Sequence, residues 1–430
     1  MTKLNIVIVT YNWPPRNAIG THRPYAWARH WSEAGADVTV LTAKKQTFDE
    51  PLDLNLSTIN GVNVIEVVVG GSTRLVGKAF KFEFVKRIAK KLKAWLGKGS
   101  FIEVDPRLAW RKAAESTAIR LAAETDIVVS TFGPAASHLI GHDIKMANPS
   151  VIWVADYRDL WSQSHTGDIT DRARNNHKEI ELNTVGAYAD LLTAVSEDMI
   201  EKLTSLTGKQ SLLIPNGFDI DDEALRSRLL RHISRPDGPF RIVYTGMIYE
   251  GHRDPTPLLD SLVRLHGANK LGAGEVTIDF YGARVDLVRR LAQNEQYSPF
   301  IRIMGHVNRN EALFAQLSAD LLLLLESPAP EARGVLTGKL FEYMAAGKPI
   351  LCVGSRPEYE IGKVLQRTGT GRVFGPDEFQ YLDDVLLETF SGKGMQDEYF
   401  PRIEEIVKFS RKRQSLELLH VLTKLLERNW

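Results

Sequence analysis

At 430 residues the chain exceeds the length at which one hydrophobic core keeps growing, so two domains are expected. With 43% apolar and 25% charged residues, disordered and fibrous classes are excluded. A net charge of +1 removes any whole-molecule attraction to nucleic acid and leaves only local patches to consider.

The opening MTKLNIVIVTYNWPP has an apolar run too short for the core of a secretion signal, and it reads as a first strand. The longest later run, ADLLLLLE, is far below the ~20 residues that span a bilayer. A cytoplasmic protein without a membrane span is the expectation. The single cysteine, Cys352, lies inside ILCVG, which fits a reducing compartment and a buried, inert thiol.

Short apolar runs recur along the chain, each followed by turn residues and a helical pattern. They are LNIVIVT, DVTVLT, VNVIEVVV, DIVVST, SVIWVAD, DLLTAVS and SLLIPNG, then FRIVYTG, VTIDFYG, IRIMGHV, ADLLLLLES and PILCVGS. Near-continuous Val, Ile and Leu is the pattern of strands buried on both faces of a parallel sheet. Alternation with helices, run through twice, predicts an α/β protein of two facing Rossmann-like, doubly wound parallel-sheet domains. Ligands of such sheets bind beyond the carboxyl ends of the strands.

After the first strand comes a Gly/Pro loop, TYNWPPRNAIGTHRPYAW. Thr21 is placed to cap the next helix and Gly35 to end it, leaving Asn12, Gly20 and Arg23 at the ligand edge. The loop lacks GxGxxG, which disfavours a nicotinamide or flavin site. Residues 74–98 carry nine Lys or Arg against one Glu, with Phe and Trp at helical spacing. That reads as a segment lying on an anionic membrane surface; an ordinary helix with a solvated basic face is the alternative.

His138 follows a strand end in TFGPAASHLIG and is a cleft candidate, with a structural histidine as the commoner outcome. In VIWVADYRDLWSQSH, Asp156, Arg158, Asp159 and Trp161 crowd one turn. They read either as an ion-pair network or as acceptor recognition, with a carboxylate accepting from the attacking hydroxyl. A polar, basic stretch from Asn216 to Phe240, closed by a Pro-Asp-Gly-Pro turn, marks the domain boundary.

YTGMIYEGHRDP brings Gly246 and Arg253 to a strand–turn–helix junction, where an arginine can grip a diphosphate. The most informative stretch is GVLTGKLFEYMAAGKPIL, residues 334–351. Gly334 and Gly338 flank a small loop, and Thr337 or Gly338 can cap a helix carrying Lys339, Leu340 and Glu342. Free N–H groups at such a helix start suit a diphosphate, Lys339 adds a full charge, and Glu342 on the same face can accept from a ribose diol. A surface helix with an i,i+3 Lys–Glu pair is the equally weighted alternative. The sequence shows no well-placed DxD metal motif, and the expectation is a site without metal or cofactor, in which Arg253 and Lys339 form a two-cation clamp.

Taken in order, PP–G–R (Pro14, Pro15, Gly20, Arg23), STFGPAASHLIG, VADYRDLW, TAVSEDM, IPNGFD, YTGMIYEGHRDP and TGKLFEYMAAGKPIL resemble glycosyltransferase family 4. These are retaining nucleotide-sugar transferases of the GT-B fold, and the resemblance is greatest to members acting in bacterial surface-polysaccharide assembly. It implies that Arg253 and Lys339 hold the donor diphosphate and Glu342 the ribose. It also implies a donor domain at 240–399, an acceptor-side domain at 1–216, a linker at 217–239 and a final helix, 400–430, crossing back to the first domain. The expected partners are a nucleotide-diphosphate sugar and a hydroxyl acceptor, lipid-linked or not, with no nucleic acid. Peripheral attachment to the inner face of a membrane would follow from the basic segment.

Two departures from the family pattern stand out. Where the family places a sugar-contacting glutamate, eight positions before Glu342, this chain has Gly334, with Glu331 near enough to substitute. Where many members have a histidine, this chain has Arg158. A nucleotide-sugar epimerase, which uses the same two-domain fold but needs no acceptor, is one alternative, and the missing glutamate keeps open a catalytically silent sugar- or membrane-binding paralogue.

Overall fold

The computed structural model describes residues 3–69, 106–163, 170–230, 238–248 and 250–429, so the basic segment 74–98 lies outside the described residues. The chain divides into two compact units, Met1–Pro215 with Gln414–Trp430, and Asn216–Arg413.

The first unit holds a seven-stranded sheet in the order β3-β2-β1-β4-β5-β6-β7. Its strands are β1 (Asn5–Val9), β2 (Asp37–Ala43), β3 (Val62–Val67), β4 (Ile127–Thr131), β5 (Ile152–Tyr157), β6 (Leu191–Ala194) and β7 (Ser211–Leu213). Every pairing is parallel. Because side chains alternate across a strand, Val7 and Val9 enter one core while Ile6 and Ile8 enter another on the opposite face. The first core lies under the helices Ala109–Ala122 and Ala136–Ala147; the second lies under Ile19–Glu33 and the end of the chain. There Leu418 and Leu422 are fully buried, and the Trp31 indole donates to the Ser415 carbonyl at 2.7 Å.

The second unit holds six parallel strands in the order β10-β9-β8-β11-β12-β13. They are β8 (Phe240–Thr245), β9 (Val276–Tyr281), β10 (Ile301–Gly305), β11 (Leu321–Leu325), β12 (Ile350–Val353) and β13 (Gly371–Phe374). The run of five leucines in β11 splits the same way, Leu322 and Leu324 to one core, Leu321, Leu323 and Leu325 to the other. Cys352 of β12 is fully buried, and desolvation pushes its thiol well above the usual range.

Several local expectations change. The strand β13 was not among the apolar runs read from the sequence, because GRVF at a sheet edge carries only two apolar residues. The stretch expected as a linker, 217–239, contains the helix Asp222–Leu229, whose Leu225 and Leu229 are buried in a core of the second unit. Asp221 caps that helix by accepting from the Ala224 amide at 2.9 Å. The first helix begins at Ile19 rather than at a Thr21 cap; Thr21 lies within it and donates to the Arg16 carbonyl at 2.9 Å. The incoming and outgoing passages of the second unit run side by side. Phe218 bridges Ser410, and Arg411 and Arg413 pair with Asp219 and Asp222.

Candidate functional site

In the second unit, β8 ends in Thr245 and turns at Gly246, whose φ of +135° favours glycine. The turn is crowded: a Cβ on Gly282, in the neighbouring turn after β9, would stand 2.1 Å from the Gly246 carbonyl oxygen. Facing it is the helix Gly338–Ala346, which ends at Gly347 in the left-handed region at φ 71°. Tyr343 fixes that helix to the strand end: its hydroxyl accepts from the Thr245 amide at 2.9 Å, and Gln316 donates to the Thr245 hydroxyl at 2.9 Å. The result is to bring Lys339 over the turn. Its Nζ would be 3.2 Å from a Cβ on Gly246 and lies 5.4 Å from the Tyr244 ring centre.

Arg253 enters from the loop after β8. Its Nε is 3.8 Å from the Glu326 carboxylate, and its Nη1 donates to the Met247 carbonyl at 3.4 Å. Glu326 immediately follows β11 and is buried, which raises its pKa, while Arg253, Lys339 and the Thr337 hydroxyl act to lower it. Lys339 shows the converse: burial first, then the Arg253 charge, lowers its pKa to about 8, with Glu326 and Glu342 opposing. Two cations and one buried carboxylate therefore share the edge where β8 and β11 end. Thr337 occupies the N-cap position, but its side chain makes no capping bond. The N–H groups of Gly338 and Lys339 precede the helix's own hydrogen-bond ladder, so they and the dipole end are available to an anion.

The structure thus brings Arg253, Lys339, Gly246, Thr337 and Gly338 together and adds Glu326, which sequence reasoning missed. Glu326 follows five leucines with no motif around it, and its one signal was its place directly after a predicted strand. Glu331, the expected substitute glutamate, is exposed in the short 3₁₀ turn Pro330–Ala332, whereas Glu326 is the carboxylate beside the two cations. Leu340 is fully buried in the core and its N–H is spent on the Thr337 carbonyl at 3.2 Å, so it offers no donor contact of its own. Gly334 is buried in the loop before the helix. Glu342 is half-buried with its carboxylate 3.8 Å from the Arg309 guanidinium.

In the first unit the candidates separate into three groups. Asp156, expected as a catalytic carboxylate, is fully buried and saturated. It accepts from Arg23 Nη2 at 2.7 Å, from Thr131 at 2.7 Å and from Thr193 at 2.6 Å. Arg23 Nε also donates to the carboxylate at 3.2 Å, and Nη1 donates to the Ile214 and Pro215 carbonyls at 2.7 and 2.9 Å. This pair ties the strand ends together. The ion-pair reading of this turn named Arg158 as the partner; Asp156 is instead paired with Arg23.

His138 is likewise a core group. The helix Ala136–Ala147 turns it inward, where Nδ1 meets the Ser130 hydroxyl at 2.8 Å and desolvation lowers its pKa to about 3. Burial holds the ring neutral and away from solvent. Trp161 packs into the same core near Phe132, so it presents no acceptor surface.

Arg158 and Asp159 stay nearer the surface, while Asn12 and Gly20 are buried beside the Arg158 side chain's loop. Arg158 donates to the Phe132 carbonyl at 2.9 Å and sits 3.5 Å from the exposed Asp159. Its guanidinium lies flat on two glycines, since a Cβ at Gly20 or Gly133 would fall 1.8 or 2.6 Å from it. Asn12 is buried and donates to the Gly133 carbonyl at 2.8 Å, shaping that loop.

No protein-family model matches the chain, and no curated protein matches it by sequence. Solved structures do. An α,α-trehalose 6-phosphate synthase from Burkholderia multivorans superposes with a TM-score of 0.64 at 11% identity, covering 100% of both chains. The Escherichia coli trehalose-6-phosphate protein bound with UDP-2-fluoro glucose gives 0.58 at 12%, covering 97% of this chain and 98% of that one. A Listeria monocytogenes protein assigned as a UDP-N-acetylglucosamine 2-epimerase gives 0.55 at 13%, covering 99% and 98%. At these identities the likeness is one of architecture, and the chain has the GT-B fold of two Rossmann-like domains.

Proposed function

We propose that this protein is a glycosyltransferase that moves a sugar from a nucleoside-diphosphate sugar, held by the second unit, to a hydroxyl acceptor held by the first. One observation carries the reading: Lys339 and Arg253 converge, with buried Glu326, on a glycine turn and an uncapped helix start. Two cations and free N–H groups match the charge that develops on a departing diphosphate, and their preorganisation supplies transition-state stabilisation. In this reading no divalent metal takes part, and Glu342 serves the ribose once it leaves Arg309. Retention at the anomeric carbon and a place in cell-surface polysaccharide or glycolipid assembly follow from the family resemblance of the sequence. Attachment to an anionic membrane through residues 74–98 belongs to the same reading.

The test is a transfer assay in EDTA with a nucleotide sugar chosen by its protection of the protein against thermal unfolding. Lys339→Ala should lower kcat on the order of 10²–10³-fold, as for loss of one preorganised donor. Wild-type turnover by that variant, or strict dependence on Mn²⁺ or Mg²⁺, refutes the clamp. The likeness to the Listeria protein favours one rival, an epimerase. Incubation with donor alone separates the two, because isomerised nucleotide sugar indicates the epimerase and unchanged donor the transferase.

A further inference from the structure

The start of the helix Gly338–Ala346 departs from those of the chain's other helices that begin on a capping residue. Thr170, Ser196, Asp221 and Asn308 each begin a helix, and each side chain accepts from the amide three residues on, at 3.3, 3.4, 2.9 and 3.0 Å. Thr337 begins its helix with the same extended backbone, φ −76° and ψ 152°, yet its hydroxyl makes no capping bond. The Leu340 amide turns to the Thr337 carbonyl at 3.2 Å instead. A threonine in this conformation is built to cap, so another group holds its hydroxyl.

That group is Glu326. Its amide donates to the Val353 carbonyl at 3.1 Å, and a Cβ on Gly354 would collide with the Glu326 carbonyl oxygen, so the ends of β11 and β12 fix its backbone. The residue is only 8% exposed. Burial acts to raise its pKa, and the Thr337 hydroxyl is among the groups that favour its charged form. The supply of donors is thin: Oε1 and the Thr337 hydroxyl are both buried, and neither reaches full hydrogen-bond geometry with any partner. A buried carboxylate short of donors draws on any hydroxyl within reach, and a bond to a charged acceptor is roughly twice as strong as a neutral one. The contest for the Thr337 hydroxyl therefore goes to Glu326.

We propose that Glu326 is a positioning residue: by holding the Thr337 hydroxyl it keeps the helix start uncapped and leaves the first N–H groups to a phosphate. Released from Glu326, the threonine would turn about its Cα–Cβ bond and accept from the Lys339 or Leu340 amide. Its oxygen would then stand where a phosphate oxygen must come, against an N–H group already spent. The same carboxylate that faces Arg253 and Lys339 thus maintains the third element of the site. Naming the phosphate as the nucleotide sugar's rests on the transferase reading; the withheld cap does not.

The experiment places Thr337→Val in the full chain with native Glu326, with Glu326→Leu and with Glu326→Gln. Valine keeps the shape of threonine and cannot cap. Calorimetric titration with UDP should show Thr337→Val strengthening binding about fivefold more beside Glu326→Leu than in the native background, the size of one N-cap bond. Glu326→Gln, which keeps the shape and weakens the acceptor, should show a smaller coupling of the same sign. It also stands in if the leucine variant does not fold, which thermal unfolding checks. Amide hydrogen exchange of the ligand-free chain reads the cap directly. Exchange at Lys339 and Leu340 should slow in Glu326→Leu and recover when Thr337→Val is added. Equal effects of Thr337→Val in every background, with exchange unaltered by loss of the carboxylate, overturn the role, because a merely structural glutamate does not couple to that hydroxyl. Absence of UDP binding by the native chain defeats the transferase reading instead, and the exchange measurement then decides this one alone.

Discussion

Lys339 illustrates how a single side chain reports its surroundings. An exposed lysine would stay charged to about pH 10.4, but burial and Arg253 bring this one to about 8. A diphosphate favours the protonated form, so bound Lys339 must have a higher pKa than free Lys339. On the proposed reading, UDP affinity should be full below about pH 8 and fall about tenfold per unit above it, with a proton taken up on binding. Titrations across that range, in buffers of differing ionisation heat, measure both effects; Lys339→Arg should flatten the profile. Affinity constant to pH 9.5 would show that Lys339 does not meet the diphosphate. Asp156 carries the opposite lesson. In the sequence DYRD reads equally as an ion-pair network or as acceptor recognition, and only the structure shows Asp156 bonded to Arg23, Thr131 and Thr193.

At the scale of elements, the proposed donor edge depends on two close approaches. One is the β8 turn at Gly246, and the other is the start of the helix Gly338–Ala346. Gly246→Ala meets two obstacles, a φ of +135° and contacts of 3.1 and 3.2 Å with the Lys339 side chain. The expected outcome is displacement of Lys339 and a loss of UDP affinity on the order of tenfold or more, with a stability cost of about 1 kcal/mol or more. Calorimetric titration and thermal unfolding read the two effects separately. Unchanged affinity would mean that the turn does not position the lysine. The helix itself was legible beforehand, since Gly347 ends it as the spacing predicts. The first helix was less so, because Thr21 resembles a cap but bonds a carbonyl of the preceding loop instead.

At the scale of the whole molecule, the end of the chain returns to complete the first unit. Leu418 and Leu422 are buried against the face formed by Ile6, Ile8, Trp27 and Trp31. Burying each leucine is worth about 1.5–3 kcal/mol, so deleting residues 414–430 removes several kcal/mol from a total stability of about 5–15 kcal/mol. Such a truncation should lower the Tm sharply or fail to fold, as circular dichroism would show; a melt like that of the full chain would disprove the dependence. The sequence by itself determined the α/β class, twelve of the thirteen strands found among the described residues, and the choice of Lys339 and Arg253 as the diphosphate candidates. It could do so because strand burial, helix caps and glycine turns are written in local patterns of a few residues. Only the tertiary structure decided which charged groups meet. Asp156 and His138 withdrew into the core, while Glu326 joined the donor edge and Arg16, Lys45 and Arg107 gathered on Tyr11. The physical reason is distance along the chain: these groups meet through parallel strands whose pairing no local pattern encodes, and burial then sets their charge.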